Sequence, residues 1–360
     1  MATLFYSVMG EGRGHAARAR AMIERLRDRH RLVLFTSHDA LRFLRSEYDD
    51  DPEVEVHELP GLVFHYSNDK LDLWKTISEG LKFWAAAGKN AKALAPHFDR
   101  LHPDLVVCDF EPLMPRAARA HGVPVLSLDH QHFMTTYDLS LLPARLRRWA
   151  WVMSWSVWAF GIRASKTVVS SFYKPPLRAG SEDAVQVGPL LRPAVEARTP
   201  SNQGHVLSYL RRATPPRVVE MLSKLPLPVK VYGLGAREPR GSITFCEISE
   251  TTFLDDLASC DSVIAAAGNQ LLGEALYFGK PVLAMPEHNH HEQCINACFL
   301  EQLGGGDWRY VERITQEDFQ AFLDQRETYR KQLEGRSAEF DGAGDAAAAI
   351  ESALADLPRE

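Results

Sequence analysis

The stretch from residue 262 to residue 306 constrains the fold of this chain more than any other. It holds two short apolar runs, Ser262–Ala265 and Pro281–Met285, separated by a glycine turn at Gly268 and a helical pattern that begins near Gln270. Runs of this length, bounded by turn signals, predict buried strands. A strand, a helix and a second strand in succession predict a parallel unit, and hence an α/β fold.

The same stretch also predicts a ligand site. A glycine turn that opens a helix presents backbone N–H groups to an anion, and Gly268 stands at such a turn. Glu274 follows one turn into that helix, and a polar loop with Glu292 and Gln293 lies beyond the next strand. Donors for phosphate, an acceptor for hydroxyls and a polar pair together indicate a site for a nucleotide that bears a sugar.

These residues carry a resemblance to a known superfamily. The pattern G-x5-E, G-x-P-V, P and [DE]-Q-x-x-N-A-x-x-L-E-x-x-G resembles the donor-binding half of GT-B glycosyltransferases. It is most similar to the UDP-glycosyltransferases and to the transferase that adds N-acetylglucosamine to lipid-linked muropeptide. Two departures are Glu292 for the usual Asp, and Asn269 with Gln270 for the usual Ser or Thr. The matching residues are Gly268, Glu274, Gly279, Pro281, Val282, Pro286, Glu292, Gln293, Asn296, Ala297, Leu300, Glu301 and Gly304.

The resemblance implies how a donor would be bound. The turn and helix start would hold the diphosphate without a metal, and Glu274 would accept the ribose hydroxyls. Glu292 and Gln293 would bind the sugar. The co-substrate expected is a nucleoside-diphosphate sugar, with UDP as the nucleotide, and no further cofactor. The residues expected to bind the donor are Gly268, Asn269, Gln270, Glu274, Glu292, Gln293, Ser208 for phosphate and Ile248 for the base.

The N-terminus opens with a second glycine-rich turn. Residues 3–8 predict a buried strand, Gly10 to Gly14 lead into a helix from about Ala16, and residues 31–36 predict a second strand. A dinucleotide fingerprint would need glycine at position 15, which is His15, and an acid after the second strand. A plain turn that needs positive φ remains an alternative.

Many GT-B transferases open with a glycine loop that ends on a histidine, and Gly12-Arg13-Gly14-His15 resembles that loop. The resemblance implies that His15 is the general base that deprotonates the acceptor hydroxyl. A base needs an orienting acid, and the strand 103–109 delivers Asp109, with Glu111 as the fallback. The alternative is that Asp109 is only a turn residue at the end of a strand.

The stretch from Leu141 to Arg163 is rich in tryptophan and follows a basic cluster. Its uncharged run is too short to span a bilayer. One interpretation is a core helix; the other is a helix that docks on an anionic membrane surface, which suits a lipid-linked acceptor. The residues expected to contact the membrane are Arg145, Arg147, Arg148, Trp149 and Trp151.

Bulk properties exclude several other classes. The 360 residues favour two domains, and a net charge of −6 argues against non-specific nucleic-acid binding. Five scattered cysteines favour reduced thiols in a cytoplasm, and the N-terminus shows no signal-peptide pattern. The histidines of the loop 288–291, with Cys294 and Cys298, match no zinc spacing, so no metal is expected. His130 and His132 beside Asp129 are expected to contact the acceptor or to lie in a plain loop.

The sequence thus predicts two doubly wound Rossmann-like domains that face each other across a crevice. The expected segments are an acceptor-binding domain (1–190), a linker (191–204), a nucleotide-sugar domain (205–335) and a terminal helix that packs back on the first domain (336–360). The expected enzyme is a cytoplasmic inverting glycosyltransferase of the hexosyltransferase type, and peripheral binding at the inner face of the membrane is the alternative to a free cytoplasmic location. Its acceptor would be a hydroxyl of a lipid-linked, glycan or small molecule. The alternatives are a UDP-sugar 2-epimerase and a non-catalytic nucleotide-sugar-binding protein.

Overall fold

The structure is a computed structural model that describes residues 1–11, 13–62, 66–67, 70–71, 73–160, 163–211 and 213–357. The chain divides into two compact units. Unit 1 comprises Met1–Leu139, Ala150–Arg192 and Gly342–Glu360, and unit 2 comprises Ser140–Trp149 and Pro193–Asp341.

The strands run the length of the chain and are short; those of the two large sheets are parallel, and the fourth and fifth strands form a separate antiparallel pair. They are β1 (Thr3–Val8), β2 (Arg31–Thr36), β3 (Val54–Glu58), β4 (Tyr66–Ser67), β5 (Lys70–Leu71), β6 (Leu105–Asp109), β7 (Val125–Asp129), β8 (Lys166–Ser170), β9 (Val185–Val187), β10 (Val206–Tyr209), β11 (Val229–Tyr232), β12 (Ile243–Phe245), β13 (Ser262–Ala265), β14 (Val282–Ala284) and β15 (Gly306–Trp308).

Helices connect most of these strands, and a 3₁₀ turn occupies Ser337–Phe340. The helices are α1 (Arg13–Leu26), α2 (His38–Tyr48), α3 (Leu73–Lys92), α4 (Ala95–Leu101), α5 (Met114–Ala120), α6 (Phe133–Thr136), α7 (Ala144–Ala159), α8 (Pro193–Glu196), α9 (Pro216–Leu222), α10 (Glu250–Ser259), α11 (Asn269–Tyr277), α12 (His291–Leu303), α13 (Gln316–Leu333) and α14 (Ala343–Ala355).

Unit 1 is built on a parallel sheet in the order β3-β2-β1-β6-β7-β8-β9. Apolar strand residues such as Phe5 and Val106 are fully buried because helices cover both faces. The strand order reverses between β1 and β6. In doubly wound sheets the carboxyl ends of the strands at such a reversal are where ligands bind.

The last helix, α14, belongs to unit 1. Its alanine-rich face and Ile350 lie in the same apolar cluster as β1, β6 and α1. Glu351 on its polar side accepts a contact from His30 Nε2 at 3.0 Å and pairs with Arg29 at 2.7 Å. The small side chains allow this helix to pack close to α1.

Unit 2 is built on a second parallel sheet in the order β12-β11-β10-β13-β14-β15. The reversal lies between β10 and β13. The turn that begins α11 and the loop that leaves β10 therefore both stand at the carboxyl edge of this sheet.

The predicted fold class is confirmed, and the predicted strands and helices agree with the structure to within a few residues. Several elements were not predicted, among them α2, α5, α9, β9 and β15. The strand β15 begins with Gly306, a residue that disfavours strands. A side chain there would lie 1.8 Å from the carbonyl oxygen of Val282, so glycine is required for β15 to pair with β14. The predicted linker contains α8.

Glu111 lies just before helix α5, after the sharp turn at Phe110, whose φ is 54°. Its two carboxylate oxygens accept the backbone N–H groups of Leu113 and Met114, both at 2.8 Å. Burial raises the pKa of Glu111 to about 7, although these two hydrogen bonds oppose the rise. In the unfolded chain this carboxyl would titrate near its ordinary value of about 4.3.

A pKa raised by folding makes the folded state bind the proton more tightly, so stability falls as pH rises from the unfolded to the folded pKa. The contribution of Glu111 to the free energy of unfolding should therefore fall by about 3 kcal/mol between roughly pH 4.5 and pH 7. Glu111→Gln should remove this part of the pH dependence, while Glu334→Gln, at an exposed site, should leave it. Denaturant unfolding at several pH values measures both, and an unchanged slope in Glu111→Gln would refute the assignment.

Candidate active site

A histidine and an aspartate meet at the strand reversal of unit 1. Asp109 is the last residue of β6, pairs with Val8 of β1, and its carbonyl accepts the backbone N–H of Met9 at 3.0 Å. Helix α1 starts a few residues after β1 and carries His15 in its first turn. His15 Nδ1 lies 2.9 Å from Asp109 Oδ1. This is the pair that the sequence proposed as base and orienting acid.

Arg18 completes this cluster. Its Nη2 donates to Asp109 Oδ1 at 2.8 Å, and its Nε lies 3.3 Å from Oδ2. The same Nη2 is 2.8 Å from His15 Nδ1. Arg18 is 4% exposed and Asp109 is fully buried, whereas 13% of the His15 side chain is accessible. The histidine is therefore the member of the cluster that a ligand can reach.

The electrostatics of the cluster favour an ionised Asp109. Burial alone would raise the pKa of Asp109, but the charges and hydrogen bonds of Arg18 and His15 outweigh it, and the pKa lies below its usual value. Burial would likewise lower the pKa of Arg18, and Asp109 outweighs that effect. The sequence analysis missed Arg18. The signal was present, because residues three apart on a helix share a face and Arg18 stands three after His15.

The glycine loop before α1 is only partly described. Gly12 and the side chain of Arg13 lie outside the described residues. At Gly10 a side chain would lie 2.0 Å from Ser37 Oγ, so glycine is required there by the neighbouring loop. At Gly14 a side chain would meet none of the described residues beyond its chain neighbours and its own helix within 4 Å.

A second buried pair stands at the end of the neighbouring strand β7. His132 Nδ1 lies 2.7 Å from Asp129 Oδ2, and Ser127 Oγ donates to the same oxygen at 2.8 Å. The His132 backbone N–H also bonds Asp129 Oδ1 at 2.9 Å, so the aspartate fixes the turn as well as the ring. Within the part of the chain that the structure describes, no group of three His, Cys, Asp or Glu residues could hold a metal ion.

The glycine turn of unit 2 is rigidly held. Gly268 is the N-cap of α11, and Asn296 of α12 donates from Nδ2 to the carbonyl of Ala267 at 2.9 Å. Asn296 is fully buried. Among the described residues, apart from its chain neighbours and its own helix, no atom lies within 4 Å of where a side chain on Gly268 would begin. There is therefore space beside Gly268, while the turn itself is held by Asn296.

The polar residues near this turn are mostly covered. Glu274 is 2% exposed, and Gln270 Nε2 donates to its Oε1 at 3.0 Å. Asn269 is 5% exposed. Gln293 is buried, and its Oε1 is 3.4 Å from the backbone N of Glu287, while Glu292 is half-buried. A ligand that used Glu274 would have to displace Gln270 from its carboxylate.

Two other expected donor residues have different surroundings. Ser208 is fully buried in β10, and its hydroxyl donates to the Ile264 carbonyl at 2.8 Å. It thus ties β10 to β13 and is not presented to a phosphate. Ile248 is 46% exposed in the loop between β12 and α10. Beside the β10 loop a small pocket is lined by Tyr209, Leu210, Arg211, Ala213, Thr214, Ala266, Met285, Glu287 and Val311.

The tryptophan-rich helix α7 has one buried and one exposed face. Trp151, Trp155 and Trp158 are 61%, 57% and 74% exposed, at the i, i+4, i+7 spacing of a single stripe. Neighbouring rings in this stripe are 6.3 and 6.1 Å apart, edge to face. The helix therefore packs one face in the core and exposes the tryptophan stripe on the other. None of the helices in the described part of the chain combines the length and apolar character needed to cross a membrane.

The three arginines of the basic cluster before the stripe have different surroundings. Arg145 is bound within unit 2, where it donates to the His288 carbonyl at 2.8 Å, and Trp149 stacks on the ring of His291 at 5.1 Å. Arg147 and Arg148 are exposed, one turn before the stripe. Only these two of the three arginines remain at the surface.

Comparison with known proteins gives the family. The family model described as Glycosyl transferase family 1 matches residues 2–326. The chain is 28% identical over 328 residues to an uncharacterized glycosyltransferase of Methanosarcina acetivorans, over 83% of this chain and 81% of that relative.

Two solved structures share the fold. UGT89C1 of Arabidopsis thaliana, complexed with UDP-L-rhamnose, has a TM-score of 0.71 at 13% identity, over 98% of this chain and 99% of that one. MurG of Acinetobacter baumannii has a TM-score of 0.64 at 14% identity, over 98% and 100%. At these identities the likeness is one of fold. These findings agree with the resemblance seen in the sequence: the family model, the relative and the two parallel sheets all point the same way. The chain belongs to glycosyl transferase family 1 and is a glycosyltransferase with the GT-B fold.

Proposed function

We propose that this enzyme transfers a hexose-type sugar from a UDP-sugar to a hydroxyl group, with inversion at the anomeric carbon. The observation that carries the proposal is the buried Asp109 held against Nδ1 of the accessible His15. A carboxylate on one ring nitrogen leaves the other nitrogen, Nε2, with a lone pair for an incoming proton. This is the arrangement that a general base requires.

In this mechanism the acceptor hydroxyl approaches Nε2 of His15. His15 removes the hydroxyl proton as the oxygen attacks the anomeric carbon, and the bond from that carbon to the diphosphate breaks. Asp109 keeps the ring in one tautomer and stabilises the imidazolium that forms. The proton stays on His15 and the negative charge leaves with the nucleotide. A single displacement of this kind inverts the anomeric centre.

Unit 2 would bind the donor. The N–H groups at the start of α11, with Asn269 and Gln270, would face the diphosphate, where the helix dipole stabilises the leaving charge. Glu274 would accept the ribose hydroxyls after Gln270 moves aside. Glu292 and Gln293 would bind the sugar, and the backbone near Ile248 would bind the nucleobase. Ser208 does not belong to this set, because its hydroxyl is used within the sheet. Support for a UDP-sugar comes from the pattern at Gly268 and Glu274 and from the UDP-L-rhamnose bound by the structural neighbour.

Unit 1 would bind the acceptor, and we propose that the acceptor is linked to a lipid. The support is the exposed tryptophan stripe of α7, one turn after exposed Arg147 and Arg148. Aromatic rings suit the headgroup level of a bilayer, and arginines suit its anionic lipids. Leu81 on α3 is also exposed, at 67%, and Trp84 on the next turn of that helix contacts Phe160, which follows α7. The five free cysteines support a cytoplasmic location at the inner face of a membrane.

His15→Ala should lower kcat/KM for sugar transfer by roughly 10²- to 10⁴-fold, because the general base is lost. The affinity for UDP should not change, since the donor residues are in unit 2. Transfer of labelled sugar and calorimetric titration with UDP measure the two quantities. His121→Ala, at an exposed histidine of the same unit, is the control. Full activity in His15→Ala would refute the base assignment.

Gly268→Ala should weaken UDP binding by about tenfold or more while leaving the fold intact. The new methyl group meets no protein atom, and the backbone φ of −77° is ordinary for alanine. It would, however, occupy the space through which phosphate reaches the α11 N–H groups. Gly344→Ala, also at an open position, should not affect UDP affinity. Equal affinity in both variants would contradict the phosphate site at α11.

Replacing both Arg147 and Arg148 by Ser should weaken binding to vesicles with anionic lipid by about 30-fold, at about 1 kcal/mol for each arginine. Binding of the wild type to purely zwitterionic vesicles should be weaker than to anionic ones. Arg29→Ser with Arg42→Ser makes the same change in net charge at exposed sites of unit 1 and should have little effect. Co-sedimentation measures all of these. Equal loss in both double variants would show that α7 is not the docking surface.

A further inference from the structure

Arg18 contacts both His15 and Asp109, and the mechanism proposed above gives it no role. The geometry is a three-way contact in which Arg18 Nη2, His15 Nδ1 and Asp109 Oδ1 lie 2.8 to 2.9 Å from one another. The inference that follows rests on the proposed function, because it concerns how His15 serves as base.

The buried carboxylate needs one positive charge. An unpaired charge in the interior is costly, so Asp109 must have a cationic partner or take up a proton. Two cations are possible, the guanidinium of Arg18 and a protonated His15. Arginine stays protonated at every relevant pH, and Arg18 already holds both carboxylate oxygens. The charge of Asp109 is thus balanced without His15.

We propose that Arg18 is a positioning residue of the active site: it is the permanent counter-ion of Asp109 and thereby keeps His15 neutral and able to accept a proton. The fork of the guanidinium also fixes the carboxylate, so that Oδ1 meets Nδ1 of the ring. With the proton on Nδ1, the N–H groups of His15 and Arg18 converge on Oδ1. A second proton on the ring would place two cations 2.8 Å apart.

The other ionisable groups around the cluster do not supply the positive charge that balances Asp109. Tyr6 on β1 and Cys108 on β6 are fully buried, and burial raises the pKa of both, so both are neutral. Asp129 on β7 is near Arg18 and Tyr6, and burial would raise its pKa, but His132 lowers it. Asp129 has its own partner in His132. Arg18 is therefore the cation that decides the charge on His15.

Arg18→Gln tests the proposal, because it keeps a hydrogen-bond donor and removes only the charge. NMR of ¹⁵N-labelled histidine reports the protonation of the His15 ring, assigned with His15→Gln. At pH 7 the wild-type ring should be neutral with its proton on Nδ1. In Arg18→Gln it should be an imidazolium, and in Arg18→Lys it should be neutral again. A neutral ring in Arg18→Gln, or an imidazolium in the wild type, would overturn the proposal.

Activity provides a second readout. Arg18→Gln should lose on the order of tenfold or more of its kcat/KM at pH 7 and recover part of it at pH 9, where the imidazolium gives up its proton. Arg18→Lys should follow the wild-type pH profile with a lower kcat, because lysine supplies the charge without the fork. Arg20→Gln removes a surface arginine of the same helix, paired with Glu47 at 3.1 Å, and should match the wild type.

The spectra separate this proposal from the proposed function. The spectra require no turnover. If they are as expected but the wild type transfers no sugar, the proposed function is refuted and the role of Arg18 stands. If Arg18→Gln does not fold, the protonation state of the His15 ring in the wild type and in Arg18→Lys still tests the proposal. A neutral ring in both supports the proposal, and an imidazolium in either contradicts it.

Discussion

One buried carboxylate determines how the first unit of this protein is arranged. Asp109 ends the strand at which the order of the sheet reverses, and it lies entirely out of water. A charge in that position must be compensated, and the first turn of α1 brings Arg18 and His15 to it. The ionisation of the aspartate and its contacts with Arg18 and His15 follow from this one requirement.

The second unit uses the same architecture for a different purpose. Its reversal presents the start of α11, capped by Gly268, where a side chain would meet none of the more distant described residues. Asn296 fixes the turn from the neighbouring helix, so an incoming phosphate would meet donors already in place. In the proposed reaction, the dipoles at this helix start would hold the donor and His15 would act as the base, the two components that an inverting sugar transfer needs.

Much of this could be predicted from the sequence, because buried parallel strands are apolar runs and turns are marked by glycine. His15 and Asp109 could be placed together, since Asp109 ends one strand and His15 begins the helix that follows the neighbouring strand. Burial could not be predicted: Ser208 lies near the end of a strand, where a phosphate ligand could stand, but its hydroxyl is used between two strands. Arg18 was missed because its role depends on a carboxylate 91 residues away. The exposed face of α7 was also undecided, since a tryptophan run has the same composition inside or outside.

The central claim is that His15 acts as base in a single displacement on a UDP-sugar. The anomeric configuration of the product tests it most directly. With a UDP-α-sugar and an acceptor alcohol, proton NMR of the new glycoside should show the β-anomer, with its large axial coupling for a gluco-configured sugar. A product with the α-configuration would contradict the account, because retention requires a mechanism in which His15 is not the base of a single displacement.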